Sequence, residues 1–182
     1  MASKRIVITG GPSTGKTAII DYLISAGYDC FEEVIRRLTL EAQKSGEIKD
    51  AHSNPISLVD DSEAFNRQLL QLRIDDFKQA KNDLNFYDRG TLDVLAYMKY
   101  FDQYIPEHFF ELCHQYLYDQ IFILPPWKDI YHSDNERFET YEQAQDIYHH
   151  LKKTYADFGY RVHEIPLGTI EYRTAYLLKQ II

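Results

Sequence analysis

The chain has 182 residues, a formal net charge of −8 and 45% hydrophobic residues. This length suffices for one domain with its own apolar core, and an acidic chain without a block of basic residues argues against a surface that binds nucleic-acid phosphates. No apolar run approaches the roughly 20 residues that span a bilayer, and no signal peptide is visible, so we expect a cytoplasmic protein without a membrane span that acts on a small molecule.

The apolar pattern predicts strands that alternate with helices along the chain. We expect strands over Arg5–Thr9, Tyr28–Phe31, Leu84–Asp88, Gln120–Leu124 and Arg161–Ile165. We expect helices over Lys16–Ser25, Val34–Gln43, Ser62–Ala80, Leu92–Tyr100, Pro106–Cys113 and Tyr141–Phe158, and from Thr169 onward. The polar stretch Lys44–Leu58 predicts a mobile loop. This order predicts a single α/β domain with three layers, in which helices cover both faces of a five-stranded parallel sheet.

The first strand leads into a glycine-rich segment that fits the pattern GxxxxGK(S/T) at every fixed position. Glycines let the backbone curl so that N–H groups point at phosphate oxygens, and the N-terminus of the next helix adds positive potential. Lys16 would reach the β- and γ-phosphates of ATP or GTP, and Thr17 would hold Mg²⁺. We therefore predict a nucleotide site formed by Gly10, Gly11, Pro12, Ser13, Thr14, Gly15, Lys16 and Thr17.

The third strand ends in an acidic residue that is followed directly by an arginine. Asp88 is placed to hold Mg²⁺ beside Thr17, directly or through water, or to act as a base itself. The alternative is an aspartate that caps the following helix. Arg89 could clamp an anionic substrate or the transferring phosphoryl group, and its alternative is an ordinary surface ion pair.

Two glutamates end the second strand, on the side where a phosphoryl acceptor would lie. One carboxylate there could accept the proton of an attacking hydroxyl. Because neighbouring residues of a strand alternate faces, only one of the two can point into the cleft, and we choose Glu33, with Arg36 or Arg37 as substrate anchors. The alternative is that the acidic pair merely complements the dipole of the following helix.

The polar segment after the fourth strand predicts a lid at about residues 125–140. Within Trp127–Glu139 the only arginine is Arg137. An arginine delivered by a closing lid would stabilise the charge on the transferring phosphate and would tie catalysis to closure. The alternative is a solvated loop arginine.

Several motifs together resemble one known family. They are RIVITGGPSTGKT, FEEVIRR, FYDRGTLDVLAY, PPWKD with DNER, and YRVHEIPLGTIEYR. They resemble the small P-loop AAA-type ATPase/kinase-like family that groups with the ribosylnicotinamide kinase domain of NadR. The resemblance implies a nucleoside-kinase-like fold that binds ATP or GTP with Mg²⁺. It implies phosphate and metal roles for Lys16 and Thr17, an Asp-Arg motif at Asp88 and Arg89, and a lid role for Arg137.

Three functions remain open at this point, the third being a pseudoenzyme that binds nucleotide without turnover. The first is a small-molecule kinase that transfers the γ-phosphoryl group to a hydroxyl of a nucleoside-like metabolite, with Lys16, Glu33, Asp88, Arg89 and Arg137 as catalytic candidates. The second is a nucleotide-binding regulatory ATPase in which Lys44–Leu58 is a switch loop. The chain lacks the arginine-finger and sensor segments of a ring ATPase, so we do not expect a ring hexamer.

Overall fold

A computed structural model describes residues 3–35, 62–131 and 139–181. In these ranges strands and helices alternate. They are β1 (Lys4–Gly10), α1 (Lys16–Ser25), β2 (Asp29–Phe31), α2 (Ser62–Gln79), β3 (Leu84–Asp88), α3 (Thr91–Tyr100), α4 (Glu107–Gln115), β4 (Gln120–Leu124), α5 (Tyr141–Asp157), β5 (Val162–Glu164) and α6 (Ile170–Gln180). A short 3₁₀ turn, Lys128–Ile130, follows β4.

The five strands form one parallel sheet in the order β2-β3-β1-β4-β5. β1 is central, and its residue Ile8 pairs with Asp88 of β3 on one side and with Phe122 of β4 on the other. In a parallel sheet the C-terminal ends of all strands meet at one edge, where α/β proteins bind their ligands. The segments that follow β1, β2, β3 and β4 therefore share that edge.

Alternating side chains divide the core into two faces. Ile6, Ile8 and Phe86 point to the face covered by α1 and α6, where Ile19 and Leu177 are buried. The residues between them point to the opposite face, where Val7, Tyr87 and Ile121 pack against α2, α3, α4 and α5. Burial of both faces explains why the central strands are almost wholly apolar.

The predicted parallel sheet with helices on both faces is confirmed. The edge strands β2 and β5 are shorter than predicted, because each has only one neighbour to extend its hydrogen-bond ladder. Val34 and Ile35 are helical, whereas the rest of the predicted helix, with Arg36 and Arg37, and the predicted loop Lys44–Leu58 lie outside the described residues. No helix in the described ranges combines the length and apolar character that a membrane crossing requires.

Candidate functional site

The glycine-rich loop makes a tight turn from β1 into α1. Gly10 and Gly15 have φ angles of +152° and +83°, which residues with a Cβ rarely adopt. A Cβ at Gly10 would lie 2.8 Å from the carbonyl oxygen of Leu124 on β4, so the loop can sit against the sheet only with glycine there. α1 begins at Lys16, directly after Gly15. The first N–H groups of α1 have no intrahelical acceptors, and such a helix end binds phosphate oxygens.

Lys16 is folded into this loop and only 7% exposed. Its Nζ donates hydrogen bonds to the carbonyl oxygens of Gly10, at 3.0 Å, and Gly11, at 2.8 Å. Burial, followed by the positive charge of Arg89, lowers the pKa of Lys16 to about 8. An ammonium group has three N–H donors, so Lys16 can keep both carbonyl contacts and still donate to a phosphate oxygen.

Asp88 lies at the C-terminal end of β3 and is 4% exposed. Its Oδ1 is buried and has no hydrogen-bond partner among the described residues. Burial and the negative charge of Glu33 raise the pKa of Asp88 above its ordinary value. A buried carboxylate oxygen without a partner is costly, and such oxygens are the ligands that Mg²⁺ prefers. The Asp88 carboxylate therefore fits a magnesium ion, and Thr17, the second residue of α1, carries a hydroxyl that could be a further ligand.

Arg89 connects three parts of the site from a buried position. Its Nε donates to Oε1 of Glu33 at 2.8 Å, and its Nη1 donates to the carbonyl oxygen of Gly10 at 3.1 Å and to Oδ1 of Asp93 at 3.2 Å. The guanidinium carbon also lies 5.2 Å from the ring centre of Tyr97. Arg89 is 9% exposed, so these contacts differ from an ordinary surface ion pair.

Glu33 follows β2 and faces the cluster, whereas Glu32 is exposed. Burial alone would raise the pKa of Glu33, but the positive charges of Arg89, Lys16 and Arg73 outweigh it and hold that pKa below the usual range. Glu33 is therefore ionised at neutral pH. The structure thus brings Lys16, Glu33, Asp88 and Arg89 together at one edge of the sheet, while Arg137 lies outside the described residues.

Asp93 is a central residue of the site that the sequence analysis did not single out. Its Oδ1 accepts hydrogen bonds from the Thr9 hydroxyl at 2.6 Å and from Arg89, and its Oδ2 accepts from the Tyr155 hydroxyl at 2.6 Å and from the Gly90 N–H at 2.9 Å. Asp93, rather than Asp88, thus caps α3. Arg89 and Asp93 are four residues apart at the start of a helix, and this spacing is the sequence signal that could have indicated their contact.

Arg73 on α2 is a second residue that was missed. It is 3% exposed, its Nη1 donates to the carbonyl oxygen of Asp88 at 3.2 Å, and its buried Nε has no hydrogen-bond partner in the described part of the chain. Arg73 lines a narrow cleft between α2 and the ends of β2 and β3. The other lining residues are Phe31, Asp76, Tyr87, Asp88, Arg89 and Tyr118.

Gly90, between Arg89 and α3, has no space for a side chain. A Cβ there would lie 2.7 Å from the Tyr155 hydroxyl oxygen, 3.0 Å from Tyr118 Cε2 and 3.1 Å from Val7 Cγ2. We expect Gly90→Ala to lower the free energy of unfolding by about 1–3 kcal/mol, since over-packing a buried contact costs that much. Urea denaturation measures the change, and an unchanged midpoint and slope would contradict this packing.

The parallel sheet, the glycine-rich loop with its buried lysine and the acid at the end of the neighbouring strand define a P-loop nucleotide-binding α/β protein. The sequence matches the AAA domain family over residues 5–173, and the chain belongs to that family. No curated protein matches the sequence.

Solved structures with a similar fold include three P-loop proteins. NadR, crystallised with NAD and AMP-PNP, is 19% identical over 97% of this chain, with a TM-score of 0.65. The alignment covers 48% of NadR, so the chain spans about half of its length. Thymidylate kinase from Ehrlichia chaffeensis is 17% identical over 98% of both chains, with a TM-score of 0.63. Deoxyadenosine kinase from M. mycoides is 16% identical over 97% of both chains, with a TM-score of 0.60. The resemblance drawn from the sequence motifs is thus confirmed.

Proposed function

We propose that the protein is a small-molecule kinase that transfers the γ-phosphoryl group of ATP or GTP to a hydroxyl of a nucleoside-like metabolite. One observation carries this proposal: Arg89 hydrogen-bonds both the phosphate loop, at Gly10, and the carboxylate of Glu33. A protein that only binds nucleotide has no need of a second, ionised carboxylate tied to its phosphate loop. The kinases among the structures of similar fold support the same reaction class.

Each residue of the cluster has a distinct role in the proposed reaction. Lys16 and the loop N–H groups bind the phosphate oxygens, and Thr17 and Asp88 hold Mg²⁺, which neutralises charge on the phosphates when it is bound. Glu33 accepts a hydrogen bond from the attacking hydroxyl and so aims its oxygen. Arg89 fixes the direction of Glu33 and adds positive charge where the phosphoryl group transfers. Arg137, within a lid at about 125–140, would contribute a further positive charge on closure.

The cleft beside Arg73 is too narrow to hold a metabolite as it stands, and it supports only the side from which the acceptor would approach. It lies on the Glu33 side of the site and combines aromatic rings with charged groups. The rings of Phe31 and Tyr87 are stacked on each other, with centres 4.8 Å apart, and Tyr87 is buried. Asp76 and Arg73 supply an acidic and a basic group on α2.

A thermal-shift screen with Mg²⁺ and ATP or GTP tests the nucleotide site. At 100 times the dissociation constant, a ligand adds about 2.7 kcal/mol to the unfolding free energy, which raises Tm by roughly 5–11 °C for a domain of this size. Lys16→Ala should abolish the shift, because it removes the loop cation. Lys153→Ala, at a side chain that is 76% exposed, is the matched control and should keep it. An equal Tm shift in Lys16→Ala would contradict the proposed nucleotide site.

The same screen identifies the acceptor. Nucleosides, vitamins and sugars are added with ATP–Mg²⁺, and phosphorylated products are detected by mass spectrometry. A phosphorylated product that forms with the wild type and not with Lys16→Ala supports the proposed kinase activity. ATP hydrolysis without any phosphorylated product would favour a regulatory ATPase instead.

A further inference from the structure

Arg173 of α6 contacts the phosphate loop at Thr14 and Gly15. Its Nη2 donates a hydrogen bond to the carbonyl oxygen of Thr14 at 2.9 Å, and its Nη1 lies 2.8 Å from the position that a Cβ on Gly15 would occupy. Its guanidinium carbon is 5.8 Å from the ring centre of Trp127, which follows β4. Arg173 is only 2% exposed. One buried side chain thus joins the last described helix, the loop and the segment after β4.

The hydrogen bond to Thr14 determines how the next N–H group is oriented. The peptide bonds of the described residues are trans, so the Thr14 carbonyl and the Gly15 N–H point in opposite directions. With the carbonyl held toward Arg173, the Gly15 N–H is directed away from Arg173. A charged donor on the carbonyl also polarises the peptide and makes its N–H a stronger donor.

No carboxylate of the described residues balances the charge of Arg173. Among the described residues it forms no ion pair, and its buried Nε has no hydrogen-bond partner. Burial lowers the pKa of Arg173, and no acid of the described ranges opposes this shift. A buried cation without a counter-ion is unfavourable for folding. A polyphosphate in the adjacent loop would supply the missing negative charge.

We propose that Arg173 is a positioning residue of the nucleotide site, which holds the Thr14–Gly15 peptide in its phosphate-binding orientation and favours polyphosphate ligands through its uncompensated charge. This inference rests on the proposed nucleotide site. It also assigns a role to Gly15 beyond its backbone angle, because any side chain there would displace the guanidinium group.

Two variants of the full chain test the proposal. Arg173→Met keeps the length of the side chain and removes its charge and donors, and Arg173→Lys keeps the charge with one ammonium group. By calorimetry we expect ATP–Mg²⁺ to bind roughly 10–150-fold more weakly to Arg173→Met, the size of effect of one charged hydrogen bond. Arg173→Lys should bind three- to tenfold more weakly than wild type. Arg161→Met, at an exposed arginine, is the control and should bind as wild type does.

The chain's single tryptophan adds a spectroscopic readout. We expect ATP–Mg²⁺ to change the fluorescence of Trp127 in the wild type and to change it far less in Arg173→Met at saturating ligand. A merely structural arginine would lower Tm without altering either affinity or fluorescence below that temperature. If Arg173→Met does not fold, the affinity of Arg173→Lys for ATP–Mg²⁺ alone tests the proposal.

The outcomes separate this inference from the proposed function. Wild-type protein that binds no ATP–Mg²⁺ overturns both. Wild-type protein that binds ATP–Mg²⁺ while the folded Arg173 variants bind within twofold of it overturns only the role of Arg173. Weaker binding by the Arg173 variants, with wild-type binding by Arg161→Met, supports that role.

Discussion

Replacement of Glu33 by glutamine should slow phosphoryl transfer to the acceptor found by screening roughly 10²–10⁴-fold, the usual contribution of a positioned acid or base. Glutamine has the same shape and can still accept the hydrogen bond that Arg89 donates to Glu33. It loses the negative charge that attracts the proton of the attacking hydroxyl. The affinity for ATP–Mg²⁺ should stay within about twofold, since the phosphate-loop contacts do not involve Glu33.

Glu32 provides the matched control for this experiment. It is the preceding residue, carries the same carboxylate and is exposed. Glu32→Gln should therefore transfer phosphate at the wild-type rate. Single-turnover kinetics with excess enzyme separates transfer from product release. If Glu33→Gln transfers as fast as Glu32→Gln, Glu33 is only a structural partner of Arg89, and the search for a base moves to Asp88.

Asp93→Asn should lower the free energy of unfolding by about 3–5 kcal/mol, because it breaks a buried ion pair. The carboxylate of Asp93 accepts four hydrogen bonds, from Thr9, Arg89, Gly90 and Tyr155. An amide offers one oxygen, and its NH₂ group faces two of the same donors. Arg89 also stays buried with less compensating charge. At roughly 2–4 °C per kcal/mol, Tm should fall by about 10 °C.

Two further variants calibrate the Asp93 result. Tyr155→Phe removes one of the four donors and should cost about 1 kcal/mol. Asp157→Asn changes a 44% exposed carboxylate that pairs with Lys153, and should cost no more than about 0.5 kcal/mol. Calorimetric unfolding compares all three proteins. A loss in Asp93→Asn no larger than that of Tyr155→Phe would show that the four contacts do not act as one buried network.

The fold was predictable because its signals are local. About ten residues of sequence suffice to recognise each apolar, β-branched run, in β1, β3 and β4, and the turn residues between the runs. The phosphate loop and the acid at Asp88 were predictable for the same reason, since fixed spacing or a strand end marks them.

The supporting residues of the site could not be predicted in this way. Arg73 and Arg173 lie on helices, where an arginine ordinarily indicates a solvated face, yet both are buried. Their partners are distant in sequence: Arg173 and Thr14 are 159 positions apart, and Asp93 and Tyr155 are 62 apart. Neither helical periodicity nor a short motif carries information across such separations. Only the packing of α2 and α6 against the strand ends brings them to the site.

The central place of β1 in the sheet affects how the chain is made. Lys4 pairs with Leu84 and Ile6 with Gln120, so β1 has neither neighbour until β3 and then β4 have been synthesised. During translation the first strand is therefore an unpaired apolar segment until β3, and it lacks its second neighbour until β4. Such segments attract chaperones and aggregate readily. The phosphate loop, although encoded first, acquires its supporting contact with Leu124 late. The loop is therefore supported on this side only after β4 has been synthesised.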